Sequence, residues 1–320
     1  MDSTTRKLAI VVPCYNEEGV LVRSVPELLA VTEKLAAEGE ISPASYVLCV
    51  DDGSQDGTWA EICALSSEHS GRVRGVRLAH NRGHQYALLA GLMEARRDCD
   101  AAVSIDADLQ DPPSVISAMV RKWSGEGDEI VYGVRSSRQT DTWFKRNSAR
   151  GFYKLQRSMG VDTIYDHADF RLMSRRALDL LSEYHEQNLF LRGIVPQIGL
   201  KTGIVTYERA HRVAGESKYP LKKMLAFSID GITSFSARPM RWIFYTGVVL
   251  LLLDIAVALY VIFSRMFGHV ALGWSSLILS VWFLGSLILI AIGMVGEYIG
   301  KIFTEVKARP RYAISDRIGF

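Results

Sequence analysis

The 58 residues from Trp242 to Ile299 carry only three full charges, Asp254, Arg265 and Glu297, in a chain of 320 residues with 37 Lys and Arg against 35 Asp and Glu. A stretch so poor in charge divides the chain into a charged globular part and an apolar part. Within it, Trp242–Phe263 has 22 residues. As a helix rising about 1.5 Å per residue it reaches roughly 33 Å, enough for a bilayer core of about 30 Å. Ser276–Ile299 is a second stretch of similar reach, in which Gly285, Gly293 and Gly296 permit close helix contact. Together they predict a two-helix transmembrane hairpin over 242–300. Lys218, Lys222, Lys223, Arg238 and Arg241 precede it and Lys301, Lys307, Arg309, Arg311 and Arg317 follow it, whereas the connection Ser264–Ser275 holds only Arg265. This asymmetry predicts cytoplasmic ends and a cytoplasmic tail over 301–320. Asp254 lies mid-span, where an ionisable group needs a partner or an aqueous crevice. A helix-packing contact is the expected reason, and with the small residues it suggests a homo-oligomer of unspecified number.

Ahead of the hairpin, 220–241 carries a helical apolar stripe of Leu221, Met224, Leu225, Phe227, Ile229, Ile232 and Phe235, with Lys222, Lys223 and Arg238 available to headgroups. That pattern predicts an amphipathic helix in the membrane interface. The charged part, 1–219, opens on a strand-like run with no signal-peptide core, so it is expected in the cytoplasm. Cys14, Cys49, Cys63 and Cys99 form no CxxC pair, which suits reduced thiols better than a disulfide framework or a structural zinc site. A net charge of +2 gives no reason to expect a nucleic-acid partner.

In the charged part, short β-branched runs alternate with helical patterns: LAIVVP, then 20–37; YVLCVDDGS, then 59–67; VRGVRLA, then 84–96; AAVSIDAD, then 113–123; EIVYGVR, then 144–159. Several runs are apolar throughout, as strands buried on both faces require. The fold class is therefore α/β with a mostly parallel sheet, and chemistry is expected beyond the carboxyl ends of its strands. Those ends are acidic: Glu17 and Glu18 after the first, Asp51 and Asp52 in the second, and Asp106, Asp108 and Asp111 after the fourth. Alternate residues of an extended segment share a face, so Asp106 and Asp108 suit a divalent cation held through oxygen ligands. The chain has neither a GxxxxGK[ST] loop nor a GxGxxG after its first strand, so the familiar phosphate loops are missing. A metal bridge between diphosphate and carboxylates is the expected substitute.

VVPCYNEE, VDDGSQDGT, NRGHQYALLAGL, SIDADLQDPP, YGVR with a later KR, DFRLMSR, AGESKY and EYIGKIFTEVKARPRY follow in order over nearly the whole chain. In these segments the chain resembles the family 2 glycosyltransferases of the Rossmann-like GT-A fold. It is most similar to the polyprenyl-phosphate glycosyltransferases, which include bactoprenol glucosyltransferases and dolichol-phosphate mannose synthases. The resemblance implies nucleotide contacts from Pro13, Tyr15, Glu17, Asp51, Asp52, Asp106 and Gln110, with a divalent metal (Mg²⁺ or Mn²⁺) on Asp106 and Asp108. It implies acceptor-phosphate contacts from Arg135, Arg146, Arg212, Ser217 and Lys218, and catalytic roles for Asp108 and Asp169. Asn81, Gly83, His84 and Gln85 look like a helix start near the nucleotide.

A lipid phosphate has a second pKa of about 6 and is already a nucleophile at neutral pH, so Asp169 is expected to orient the acceptor or take a late proton rather than to act as an obligatory base. The implied reaction is inverting transfer of a sugar, foremost glucose, from a UDP-sugar to polyprenyl (undecaprenyl) phosphate. GDP-mannose or a modified aminopentose donor is the alternative, and a nucleotide-sugar-binding membrane adaptor is the non-enzyme rival. The resemblance also implies a multi-pass protein of the bacterial inner membrane, with catalytic domain and termini cytoplasmic, and a small flippase partner.

Overall fold

A computed structural model describes residues 6–135, 167–208 and 274–320, together with scattered residues between 243 and 263. Of these, 6–135, 167–208 and 309–320 belong to one compact unit, and 274–308 with the scattered residues belong to a second.

In the first unit, β1 (Leu8–Cys14) is followed by α1 (Leu21–Ala37), β2 (Tyr46–Asp51) by α2 (Thr58–Glu68), and β3 (Val73–Leu78) by α3 (His84–Ala95). Then β4 (Ala101–Ser104) leads to α4 (Val115–Arg121), which widens into a π turn over Lys122–Glu126 before β5 (Ile130–Arg135). These strands and helices fall where the alternating pattern places them. β1, β2 and β4 are buried at every residue, which explains why their sequences lack strict alternation. α1 buries Leu21, Val25, Leu28, Leu29 and Leu35 along one face. α3 lies close to the sheet, because a Cβ on Gly91 would stand 2.4 Å from Val11 Cγ1 and 2.7 Å from Val50 Cγ2.

Beyond the expected elements, β6 (His167–Ser174), α5 (Arg175–Ser182), α6 (Leu191–Gln197) and β7 (Thr202–Tyr207) extend the unit. Among the described residues the sheet has eight strands in the order β7-β5-β6-β4-β1-β2-β3-β8. β4, β1, β2 and β3 are mutually parallel. β6 enters antiparallel between β4 and β5, so the sheet is mixed. The chain reverses its winding between β1 and β4, the place where an open α/β sheet leaves a crevice.

The last strand, β8 (Ile314–Ile318), pairs antiparallel with β3. This departs from the tail expected over 301–320: the helix runs on to Lys307, and the residues after it return to the sheet. Pairing satisfies the open edge of β3, and Ile318 packs against the core.

The second unit contains α7 (Trp274–Lys307), 34 residues long. Its segment Phe283–Lys307 has 25 residues, the most apolar stretch of 18 residues having a mean hydropathy of 1.8 with none buried, and among the described residues it is the one helix long and apolar enough to cross a bilayer. The expected second span, 276–299, lies within α7. The described residues between 243 and 263 are helical, but the first span as a unit, Asp254, the interfacial stretch 220–241 and the helix expected over 144–159 fall outside the described residues. One helix of the expected hairpin is therefore in view.

Candidate active site

The loop after β1 is fixed by the loop after β2 through side chains that serve backbone amides. Asn16 N–H donates to Ser54 Oγ (3.0 Å), Glu17 N–H to Thr58 Oγ1 (2.9 Å), and Gln55 N–H to Asn16 Oδ1 (3.0 Å). Gly57 N–H donates to Glu18 Oε2 (3.2 Å), and Gly19 N–H to Glu61 Oε1 (2.6 Å). This lattice holds Tyr15 with 43% of its surface exposed at the carboxyl edge of the sheet. Pro13, by contrast, is a buried strand residue paired with Val50.

Asp51 and Asp52 are both buried and have structural partners. Asp51 Oδ1 accepts from Ser54 N–H (2.9 Å), and Oδ2 lies 3.2 Å from Arg77 Nε. Asp52 accepts from the amides of Arg82 (2.8 Å) and Gly83 (2.7 Å). Burial raises the Asp52 carboxyl above its ordinary range, and the two amides pull it partly back. Gly53 has a φ of +67°, and a Cβ there would stand 2.7 Å from Asn81 N and from His80 C. The turn after β2 therefore packs backbone to backbone on the β3–α3 loop, which only glycine allows at this conformation.

Beyond β4, Asp106 is half-buried and Asp108 exposed. Asp108 accepts from Gln110 N–H (3.3 Å) and from the Gln110 amide group. Burial raises the Glu17 carboxyl, and the charges of Asp108, Asp56 and Asp106 raise it further. Burial likewise raises Asp106, against His84 and with Asp169, Asp108 and Asp111. Glu17, Asp106 and Asp108 thus act on one another as one acidic locus beyond the ends of the neighbouring strands β1 and β4.

A cationic locus borders it. Asp169 lies on β6, whose register pairs Ser104 with Arg171; continued two residues, that register sets Asp169 across from Asp106. It is 7% exposed and accepts from Arg171 Nη2 (2.6 Å), Arg192 Nε (3.2 Å) and Nη2 (2.9 Å), and Gln85 Nε2 (3.3 Å). Burial alone would raise its pKa, but His84, Arg171 and Arg192 outweigh it and hold the carboxyl well below the usual range. A carboxylate so held is a poor proton acceptor at neutral pH. His84 Nε2 lies 3.6 Å from Asp169 and 3.8 Å from Asp106, so it bridges the two loci. Burial lowers the imidazole pKa, and the two carboxylates more than reverse this.

Arg192 lies outside the motifs that mark this site in the sequence. Its signal was a lone cation in the apolar run Phe190-Leu191-Arg192-Gly193-Ile194-Val195, since a charge on a buried helix needs a partner. Gln85 joins the same arrangement by accepting from Leu191 N–H at 3.1 Å. Arg135, expected at an acceptor phosphate, forms a two-pronged pair with Asp111, both contacts 3.1 Å, where Asp111 is 3% exposed. It thereby ties the end of β5 to the loop bearing Asp106 and Asp108. Arg146, Arg212, Ser217 and Lys218 fall outside the described residues.

The residues present suit a divalent cation. The acidic locus offers only oxygen donors and carries repulsion that a cation would relieve. Among the described residues no three His, Cys, Asp or Glu groups stand together as a complete metal site. One or two carboxylates completed by substrate phosphates is the usual arrangement for Mg²⁺.

Residues 9–181 match the glycosyl transferase family 2 model. The chain is 53% identical over 307 residues to the glycosyltransferase YkoT of Bacillus subtilis, covering 96% of this chain and 90% of that one. It is 39% identical over 312 residues to the SfII prophage-derived bactoprenol glucosyl transferase of Shigella flexneri, covering 96% and 97%. Among solved structures, mannosyl-3-phosphoglycerate synthase from Rubrobacter xylanophilus superposes with a TM-score of 0.46 at 16% identity, over 74% of this chain and 75% of that one. On the family match and on identity across nearly its full length, the chain belongs to glycosyl transferase family 2.

Proposed function

We propose that this glycosyltransferase moves glucose from UDP-glucose to a polyprenyl phosphate at the cytoplasmic face of a bacterial membrane. The carrying observation is the pairing of an acidic locus (Glu17, Asp106, Asp108) with the neighbouring guanidinium of Arg192 at the carboxyl edge of the sheet, with His84 between them. Near full-length identity to a protein named bactoprenol glucosyl transferase supports the choice of donor and acceptor.

Tyr15 offers an exposed aromatic face to a base, and Glu17 a carboxyl suited to a pyrimidine N–H. Asp51 and Asp52 act on the nucleotide by shaping the turn at Gly53. Asp106 and Asp108, with Gln110 bracing Asp108, would hold a divalent cation, which when bound would supply positive charge to the diphosphate leaving group. The acceptor phosphate oxygen forms a bond to the anomeric carbon as the bond from that carbon to the diphosphate oxygen breaks, inverting the configuration and releasing UDP.

Two anions must meet in this step, so cations are the machinery the chain has to supply. Arg192 and His84 lie beside the reaction locus, between donor and acceptor; Arg146, Arg212, Ser217 and Lys218 form the acceptor side, and Arg135, paired with Asp111, holds the loop that carries Asp106 and Asp108. Asp169 orients Arg192 and His84 and takes no proton from the acceptor, which is already anionic. α7 and the preceding apolar stretch anchor the enzyme as a membrane hairpin with both ends cytoplasmic.

The test is to incubate the purified full chain with Mg²⁺ or Mn²⁺, polyprenyl phosphate and a panel of nucleotide sugars, and to weigh the lipid product. A hexose added from UDP-glucose is expected. Transfer only from GDP-mannose would replace the donor, and no transfer from any sugar would overturn the reading.

A further inference from the structure

Residues 82–84 link the two loci of the site and lead into α3, where the Gly83 carbonyl accepts from Tyr86 N–H (3.0 Å) and Ala87 N–H (3.2 Å). Gly83 stands at the helix start with a φ of +93°, and no side chain caps the helix there. The loop is gripped from outside. On one side Asp52 accepts from the amides of Arg82 and Gly83. On the other, Arg82 Nε donates to the carbonyl of Arg311 at 2.8 Å, and the Arg82 guanidinium lies 5.4 Å from the Tyr86 ring centroid.

Arg311 belongs to the segment that follows the apolar helix, and that segment is itself anchored. Ala79 N–H donates to Ala313 O (2.9 Å), and Arg311 Nη1 donates to Tyr184 O (2.8 Å). Arg317 makes a two-pronged pair with Glu94 of α3, both contacts 3.1 Å, and Glu94 is 5% exposed.

We infer that the segment Arg311–Ile318 is a positioning element for the donor side of the site, acting through Arg82 to fix the direction in which His84 leaves the loop. A merely stabilising strand would need only its ladder with β3 and the Arg317–Glu94 pair. The additional bond from Arg82 spans 229 positions to reach a backbone carbonyl, and it lies one residue from Gly83 and two from His84.

The inference rests on the proposed glucosyl transfer for its kinetic consequence, but not for its structural one. In the full chain, Arg82→Ala should raise the KM for UDP-glucose about tenfold, the scale of one charge-assisted hydrogen bond, with the lipid KM within twofold of wild type. Arg82→Lys, whose ammonium can donate to the same carbonyl, should recover most of that loss. Arg311→Ala keeps the carbonyl but loses the tie to Tyr184, and should give a smaller rise of the same kind. A fall in kcat with both KM values unchanged would overturn the inference.

Amide hydrogen exchange of peptides covering 81–86 reads the same tie without any substrate. Faster exchange there in Arg82→Ala, with β1 and β2 unchanged, is expected; exchange equal to wild type would overturn the inference. If the wild-type protein transfers nothing from UDP-glucose, the functional proposal fails by itself, and the exchange result still decides the positioning role.

Discussion

Replacing Asp169 by Asn tests the electrostatics of the site directly. Arg171 is 1% exposed and Asp169 7% exposed, so the change leaves a guanidinium buried beside a neutral amide. Removing one partner of a buried pair costs about 3–5 kcal/mol. Asn retains an acceptor oxygen, and the Arg192 side chain is 41% exposed and can turn toward water, so the low end, about 3 kcal/mol, is expected. At about 2–4 °C per kcal/mol for a unit of this size, Tm should fall by about 6–12 °C.

The sign with pH follows from the lowered carboxyl. Its stabilisation is present above the unfolded value of about 3.9 and is lost as pH falls through the folded value, which lies well below that. The difference between wild type and variant should therefore shrink in strong acid, and, because Asp169 also raises the His84 pKa, it should be larger at about pH 6 than at about pH 8. Thermal unfolding of the detergent-solubilised chain, followed by intrinsic fluorescence across pH, is the assay. A variant melting within about 2 °C of wild type at neutral pH would refute the buried-pair account. Near-normal transfer by the variant at low temperature would exclude obligatory base catalysis by Asp169.

Asp108→Ala should abolish metal-dependent transfer while leaving Tm within about 2 °C, because the side chain is exposed; undiminished turnover would sink the metal assignment. Gly53→Ala should cost about 1–3 kcal/mol and raise the donor KM, since the positive φ and the backbone of His80 and Asn81 oppose a Cβ; a melting curve and donor kinetics equal to wild type would contradict the packing described. Leu28→Ala, in the α1 core, should lower stability by about 2–5 kcal/mol with both KM values unchanged, measured on the folded fraction.

The strands β1 to β5 and the helices between them were legible from sequence because their signals are local: apolar runs of strand length separated by helical periodicity. The acidic locus was legible for the same reason, because Glu17, Asp106 and Asp108 follow directly from strand ends, and topology carries such ends to one edge. The apolar stretch announced α7 through its lack of charge.

Tertiary structure alone decided the pairings. Nothing in the sequence around Arg171 or Arg192 says that both guanidiniums close on Asp169, or that Arg135 pairs with Asp111 at the end of β5. The chain has 37 Lys and Arg, and only the insertion of β6 between β4 and β5 selects which of them meet a given carboxylate. The residues from Arg309 onward read as a charged tail because β8 is short and polar at its centre. Its partner, the open edge of β3, lies more than two hundred positions earlier in the chain. Sequence determined the elements, since each is specified by its own residues. The fold decided the site's charge balance, since that depends on contacts between residues far apart in the chain.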